Sequence, residues 1–323
     1  MCTAITYRTG DHYFGRTLDL ECSFHEMVTV TPRNFPFRFR NGETLSNHAA
    51  IIGMATVVDG YPLYYEGANE WGLAMAGLNF PGNAHYFPEN PEKTNVAPFE
   101  FLPWILGRYR NLAEVRTCLS NLNLWEVNFS QQLPLSPLHW IIADRDGAIT
   151  VESTADGLRI YDNPVGVLTN NPGFDYHMTH LCDYLNLTHL PPENRFSKIP
   201  LVPYSRGMGA MGLPGDLSSA SRFVRAAFVK LNSRSGDGEL ESVSQFFHIL
   251  GSVDQQRGCV LLENGHYEIT VYTSCINTDK GIYYYTTYDN QGISAVDLHR
   301  CDLEADGLFS YPLMKEQVIH RQN

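Results

Sequence analysis

The chain has 323 residues, 43% hydrophobic and 18% charged, enough apolar material for a large core. Acidic residues outnumber basic ones 35 to 23, and the formal net charge of −12 argues against nucleic acid and anionic membrane surfaces as partners. No run approaches the ~18 apolar residues of a membrane span, and no charged-then-apolar leader opens the sequence, so the expected setting is the cytoplasm.

The first stretch, MCTAITYRTGDHYFGRTLDL, reads as a β-hairpin. Cys2 to Tyr7 alternates with period two, Thr9-Gly10-Asp11 supplies a turn, and His12 to Leu18 returns. A two-residue Gly10-Asp11 loop sets Cys2 opposite Asp19, placing a carboxylate beside the cysteine. Arg16 and Asp19 are three apart and fall on opposite faces of a regular strand. Bringing both to Cys2 calls for a bulge at Gly15 or a strand ending before Asp19.

Further strands are expected at 27–33, 50–58 and 71–80. An apolar helix follows over 98–109, and a capping box at Asn111–Glu114 opens another to about 122. A meander is expected at 139–162, helices at 174–187, 218–231 and 241–253, and closing strands at 267–277, 280–290 and 293–300. Strand blocks, helix blocks and strand blocks in succession predict antiparallel sheets and an α+β fold. No linker, low-complexity tract or repeat divides the chain, so residues 1–323 are expected to form a single domain. The seven cysteines are scattered without a C-x-x-C pair and read as free thiols.

Removal of Met1 would give Cys2 a free α-amine beside its thiol. An α-amine titrates at roughly pH 7.7–8.0, so one residue would hold both nucleophile and base. Asp19 would orient the amine and Arg16 would lower the thiol's pKa. On the residues alone, the plainer reading of Cys2 as a small residue after Met1 stands ahead. Asn79, before a Pro-Gly turn, and Asn170, before Asn171-Pro172, read first as turn residues. Arg222, early in the helix 218–231, would ordinarily be solvated, and Arg225 is the alternative on the same helix.

Other patterns carry less. Gly207 to Gly212 fits G-x-G-x-x-G but lacks the strand before and the helix after, so it reads as a loop. His177 and His180 lack completing ligands and read as surface or packing residues. His139 and His248 read as satisfied core histidines, and Tyr283–Tyr285 as strand packing with hydroxyls at the surface. No phosphate loop or metal cluster emerges, so neither cofactor nor metal is expected.

Six blocks change the balance. The opening stretch, YPLYYEGANEWGLAMAGLNFPGN (61–83), SPLHWIIAD (136–144), GVLTNNPGFDYH (166–177), GLPGDLSSASRFVR (212–225) and KGIYYYTTYDN (280–290) stand in order along nearly the whole chain. Together they resemble the choloylglycine hydrolases (bile salt hydrolases) and penicillin V acylases, which are N-terminal-nucleophile amidases. The resemblance implies a four-layer αββα sandwich, two antiparallel sheets flanked by helices, with Cys2 opening a strand at a sheet edge. It implies Cys2 as nucleophile, with Arg16, Asp19 and Arg222 around it and Asn79 and Asn170 lining the oxyanion region. It also implies a homotetramer and, as substrate, a glycine- or taurine-conjugated bile salt.

Loop placement suggests Phe24, Met27, Tyr61, Leu63, Phe129 and Leu135 as walls for a sterol body. Asn79 favours the bile salt branch, since penicillin V acylases tend to carry tyrosine there. The alternatives are a penicillin V acylase or other N-acyl amide hydrolase and, from another class, a non-catalytic sterol or acyl-amide binder with an incidental cysteine.

Overall fold

The period-two segments become two antiparallel sheets, and the amphipathic segments cover their outer faces. A computed structural model describes residues 1–323. The chain opens with strands β1 (Cys2–Arg8), β2 (His12–Leu20) and β3 (Met27–Thr31), then a short ladder of β4 (Phe37–Arg38) and β5 (Thr44–Leu45). Next come β6 (Ile51–Val58), β7 (Tyr61–Asn69), β8 (Ala74–Asn79) and β9 (Thr94–Val96). Helices α1 (Phe101–Arg108) and α2 (Leu112–Leu119) lead to β10 (Leu122–Leu124) and the meander β11 (Leu138–Asp144), β12 (Gly147–Thr154) and β13 (Gly157–Asp162). The two-residue β14 (Val167–Leu168) precedes helices α3 (Phe174–His180), α4 (Ser219–Asn232) and α5 (Glu239–Gly251). Strands β15 (Ile269–Asn277), β16 (Ile282–Thr287), β17 (Asn290–Asp297) and β18 (Phe309–Pro312) close the chain.

One sheet has the order β14-β1-β2-β15-β16-β17, the other β13-β12-β11-β8-β7-β6-β3-β18, and every pairing in both is antiparallel. Helices α4 and α5 pack on the first sheet, α1 and α2 on the second, which gives the layers helix, sheet, sheet, helix. This is the αββα sandwich that the resemblance implied. One apolar cluster, including Ile5, Phe14, Val30, Ile52, Leu78 and Phe246, fills the space between the sheets and beneath α4 and α5. A second, with Phe101, Trp104, Ile105 and Trp140, lies between the larger sheet and α1 and α2.

Helix starts follow the local chemistry. Asn111 caps α2 by accepting from the Glu114 backbone N–H, and Ser218 caps α4 by accepting from that of Ser221. The expected helix at 174–187 stops at His180 and continues as a single 3₁₀ turn, Leu181–Tyr184. Strands β7 and β18 were not expected: β7 carries four aromatic or charged residues among its nine and lacks clean alternation. The 207–212 glycines form a loop with one 3₁₀ turn. No helix is long and apolar enough to cross a membrane.

Candidate active site

The hairpin forms, with a register different from the expected one. Arg8 pairs with His12, so the loop has three residues, Thr9 to Asp11, and Cys2 faces Leu18. Asp19 lies opposite Met1, whose carbonyl accepts from the Asp19 N–H at 2.9 Å. Strand β1 is also not the sheet edge: β14 flanks it, pairing with Ala4 and Ile5 and leaving Cys2 beyond the paired stretch.

No bulge forms at Gly15, and β2 runs through Asp19 to Leu20. The irregularity lies in the partner strand, between Thr270 and Tyr272 of β15. Gly15 serves close approach instead, since a Cβ there would stand 2.0 Å from the Ser274 carbonyl oxygen.

Because β2 stays regular, Arg16 and Asp19 leave it on opposite faces and bracket Cys2. Arg16 enters the space between the sheets, donating from Nη1 to the Gly77 carbonyl at 2.6 Å, with Nε 3.9 Å from Glu66 Oε2. Glu66 is fully buried and accepts from the hydroxyls of Tyr272 (2.7 Å) and Tyr283. Asp19 turns toward the helix layer, where its carboxylate accepts from Thr270 Oγ1 at 2.7 Å and Thr17 Oγ1 at 3.1 Å. Arg222, from the first turn of α4, is also fully buried. It donates from Nη1 to the Cys2 carbonyl and to Thr3 Oγ1, both at 2.6 Å, from Nη2 to Asn170 Oδ1 at 2.8 Å, and lies 4.0 Å from the Asp19 carboxylate. Arg225 instead donates to the carbonyls of Pro214 and Asp216.

Two arginines and two carboxylates thus surround the nucleophile candidate, and their formal charges cancel. Burial opposes the charge of Arg16, but Cys2, Tyr272, Glu66 and Asp19 outweigh it and hold the guanidinium above its ordinary pKa. Burial pushes the carboxyls of Asp19 and Glu66 upward, against the pull of Arg222 and Arg16 respectively.

Asn170 joins this cluster to the cysteine. Its Oδ1 accepts from the Cys2 nitrogen at 2.8 Å, and its Nδ2 donates to the Asn79 carbonyl at 2.7 Å. His177, expected at the surface or in packing, is fully buried and fixes the Asn170 carbonyl through Nε2 at 2.9 Å. Asn79 contributes this backbone carbonyl, while its side chain makes no hydrogen bond within the chain. The second Asn170 amide hydrogen has no acceptor within the chain.

His139 is the satisfied core histidine expected, bonded to Glu152 and the Thr169 carbonyl. His248 is exposed on α5. The tyrosine hydroxyls are drawn inward: Tyr283 binds Glu66, Tyr284 binds Glu239, and Tyr285 accepts from the Met314 N–H.

The six candidate wall residues fall into two groups. Tyr61 and Phe129 approach each other at 5.9 Å between ring centroids, and Leu135 packs on the same aromatic cluster. Leu63 pairs with Thr56, whose hydroxyl binds the Phe24 carbonyl, and Met27 pairs with neighbouring Ala55. Tyr65 stands between this second group and the hairpin: its hydroxyl meets Thr56 and its carbonyl meets Arg16.

Sequence reading missed Glu66, Thr270, Tyr272 and Glu268. The available signal was a lone carboxylate inside otherwise apolar and aromatic strands, which marks a buried partner for a cation.

A model of the choloylglycine hydrolase family of linear amide C–N hydrolases matches residues 2–311. A bile salt hydrolase/transferase from Lactiplantibacillus plantarum is 55% identical over the full length of both chains. The solved conjugated bile acid hydrolase of Clostridium perfringens, as a cysteine variant, superposes over both whole chains with a TM-score of 0.93 at 38% identity. A penicillin V acylase from Agrobacterium tumefaciens shares the fold, with a TM-score of 0.74 at 18% identity over 96% of this chain and 90% of its own. The chain therefore belongs to the choloylglycine hydrolase family of linear amide C–N hydrolases.

Proposed function

We propose that the protein hydrolyses the amide bond of glycine- or taurine-conjugated bile salts through Cys2, exposed as the N-terminal residue when Met1 is removed. The observation that carries the reading is the grip on the Cys2 nitrogen: Asn170 Oδ1 holds it at 2.8 Å, and Arg222 holds both that oxygen and the Cys2 carbonyl. A site built around a backbone nitrogen suits an enzyme whose base is that nitrogen. Of the two nearby buried histidines, His139 is bonded through both ring nitrogens and His177 through Nε2 to the Asn170 carbonyl.

In this mechanism the α-amine takes the thiol proton as Cys2 attacks the amide carbonyl. The free Asn170 amide hydrogen and the Asn79 side chain stabilise the oxyanion. The amine then returns its proton to the departing glycine or taurine nitrogen, and water cleaves the thioester. An amine in place of that water gives transfer, the second activity in the Lactiplantibacillus relative's name. Of the proposed walls, Phe24, Met27 and Leu63 are linked through Thr56 and Tyr65 to Arg16, which supports them as the part facing the nucleophile.

The same proposal includes a homotetramer in the cytoplasm. Seven free thiols suit a reducing compartment. Phe196, Val202 and Tyr204, each more than 80% exposed on one segment, suit contact with further copies.

The test is amine release from taurocholate, glycocholate and penicillin V by protein with its N-terminus checked by intact mass. Turnover of the bile conjugates only after loss of Met1 supports the reading. A preference for penicillin V moves the enzyme to the acylase branch, and binding without turnover by the trimmed protein leaves a sterol binder.

A further inference from the structure

Glu268 immediately precedes β15 and is 4% exposed. Its carboxylate has one partner in the whole chain, the ammonium of Met1, which also donates to the Asp19 carbonyl. Its backbone is fixed, the N–H donating to the Val260 carbonyl at 3.0 Å.

Loss of Met1 would remove that partner and create a new ammonium on Cys2, one residue further along, and consecutive Cα atoms lie about 3.8 Å apart. A buried carboxylate without a partner is costly, so the new cation and the abandoned anion are suited to each other. The other charges around the Cys2 nitrogen are Arg16 and Asp19 from β2 and Arg222 from α4, and Asp254, after α5, is near enough to be acted on by Asp19. The two arginines disfavour an ammonium there. Asn170 supplies a neutral acceptor, and Asp19 is already engaged by two hydroxyls and Arg222.

We propose that Glu268 is a positioning residue that receives the α-ammonium of Cys2 once Met1 has gone, orienting the catalytic nitrogen. This deepens the proposed function and rests on it. Below its acid limb the enzyme carries protons on both the Cys2 thiol and the Cys2 amine. The reactive form has lost one of them, whether drawn as thiol–amine or as thiolate–ammonium. A carboxylate at Glu268 favours the doubly protonated form and places the acid limb at higher pH.

The experiment compares trimmed wild type with E268Q and E268D, each confirmed as folded by circular dichroism. One arm follows the pH profile of kcat/KM on glycocholate. The other follows the titration of a Cys2 amine labelled with 15N and observed by NMR. In E268Q the acid limb and the amine titration should both move to lower pH by about one unit or more, with E268D in between. An amine titration identical in all three proteins overturns the proposal, as does lowered activity with an unmoved profile. Failure of the wild type to hydrolyse any bile conjugate would instead sink the functional reading, and the NMR arm would still decide the place of Glu268.

Discussion

Both faces of the larger sheet are buried in apolar packing, but only one of them carries charged groups within it. Toward α1 and α2, Phe101 meets Trp140 edge-on at 5.0 Å between centroids, and Trp104, Ile105 and Phe37 complete an aromatic layer. Toward the smaller sheet, Glu66 meets Arg16 and two tyrosine hydroxyls, and beyond the hairpin Asp19 meets Arg222. The aromatic layer is held by volume and contact area, so each residue's loss is felt mainly where it stood. The polar layer is held by mutual satisfaction, and removing one member leaves the others dehydrated and unpaired. The first layer supports the sheet, while the second fixes the cysteine that the sheet carries.

Substitutions in the two layers should separate stability from turnover. Arg222→Met removes the cation that joins Asp19, Asn170 and the Cys2 carbonyl. It should cost about 3–5 kcal/mol in urea unfolding and lower kcat by about 100-fold or more in the folded fraction. Phe101→Ala should cost a similar 3–5 kcal/mol while leaving kcat/KM per folded molecule unchanged. Loss of turnover in that variant would mean the two layers are coupled. Tyr272→Phe deletes one of two hydroxyl donors to Glu66 and should cost about 1–3 kcal/mol. A neutral result would show that Glu66 is satisfied without it.

The smallest effect concerns Glu100, which bonds the Arg40 N–H at the aromatic layer's edge. Burial raises its carboxyl from 4.5 to about 7. A raised acid stabilises the fold fully below its unfolded pKa, and that contribution is lost as pH climbs through the folded value. Wild type should therefore lose stability between pH 4.5 and about 7 in a way that E100Q does not. Parallel stability curves for the two proteins across that window would contradict it.

Much of this was legible in the sequence for identifiable reasons. The hairpin, the closing strands and α4 follow local alternation, caps and turn residues, and those signals survive tertiary packing. The register of the hairpin did not, because Gly10-Asp11 permits a two- or a three-residue loop and one residue's difference exchanges Asp19 for Leu18. Cys2, Arg16, Asp19, Asn170 and Arg222 were reached through the resemblance and meet in space, although their roles rest on the proposal. The apparent conflict between Arg16 and Asp19 arose from assuming that both must share a face with the thiol. A residue at a strand's end can be flanked from both faces. Glu66 was missed although it is a lone carboxylate in an otherwise apolar and aromatic strand, and Glu268, just outside a strand, has no local mark that distinguishes it from a solvated carboxylate. Their partners, Arg16 and the N-terminus, are distant in sequence or come from the terminus itself.

The most direct measurement is to mix trimmed protein with glycocholate, quench in acid and weigh the intact chain, beside a Cys2→Ser variant. The account predicts a mass increase equal to the cholyl group, mapped to Cys2 and released by hydroxylamine, with glycine liberated by the wild type alone. Undiminished glycine release by the Cys2→Ser variant, or a cholyl group mapped to any other residue of the wild type, would contradict it.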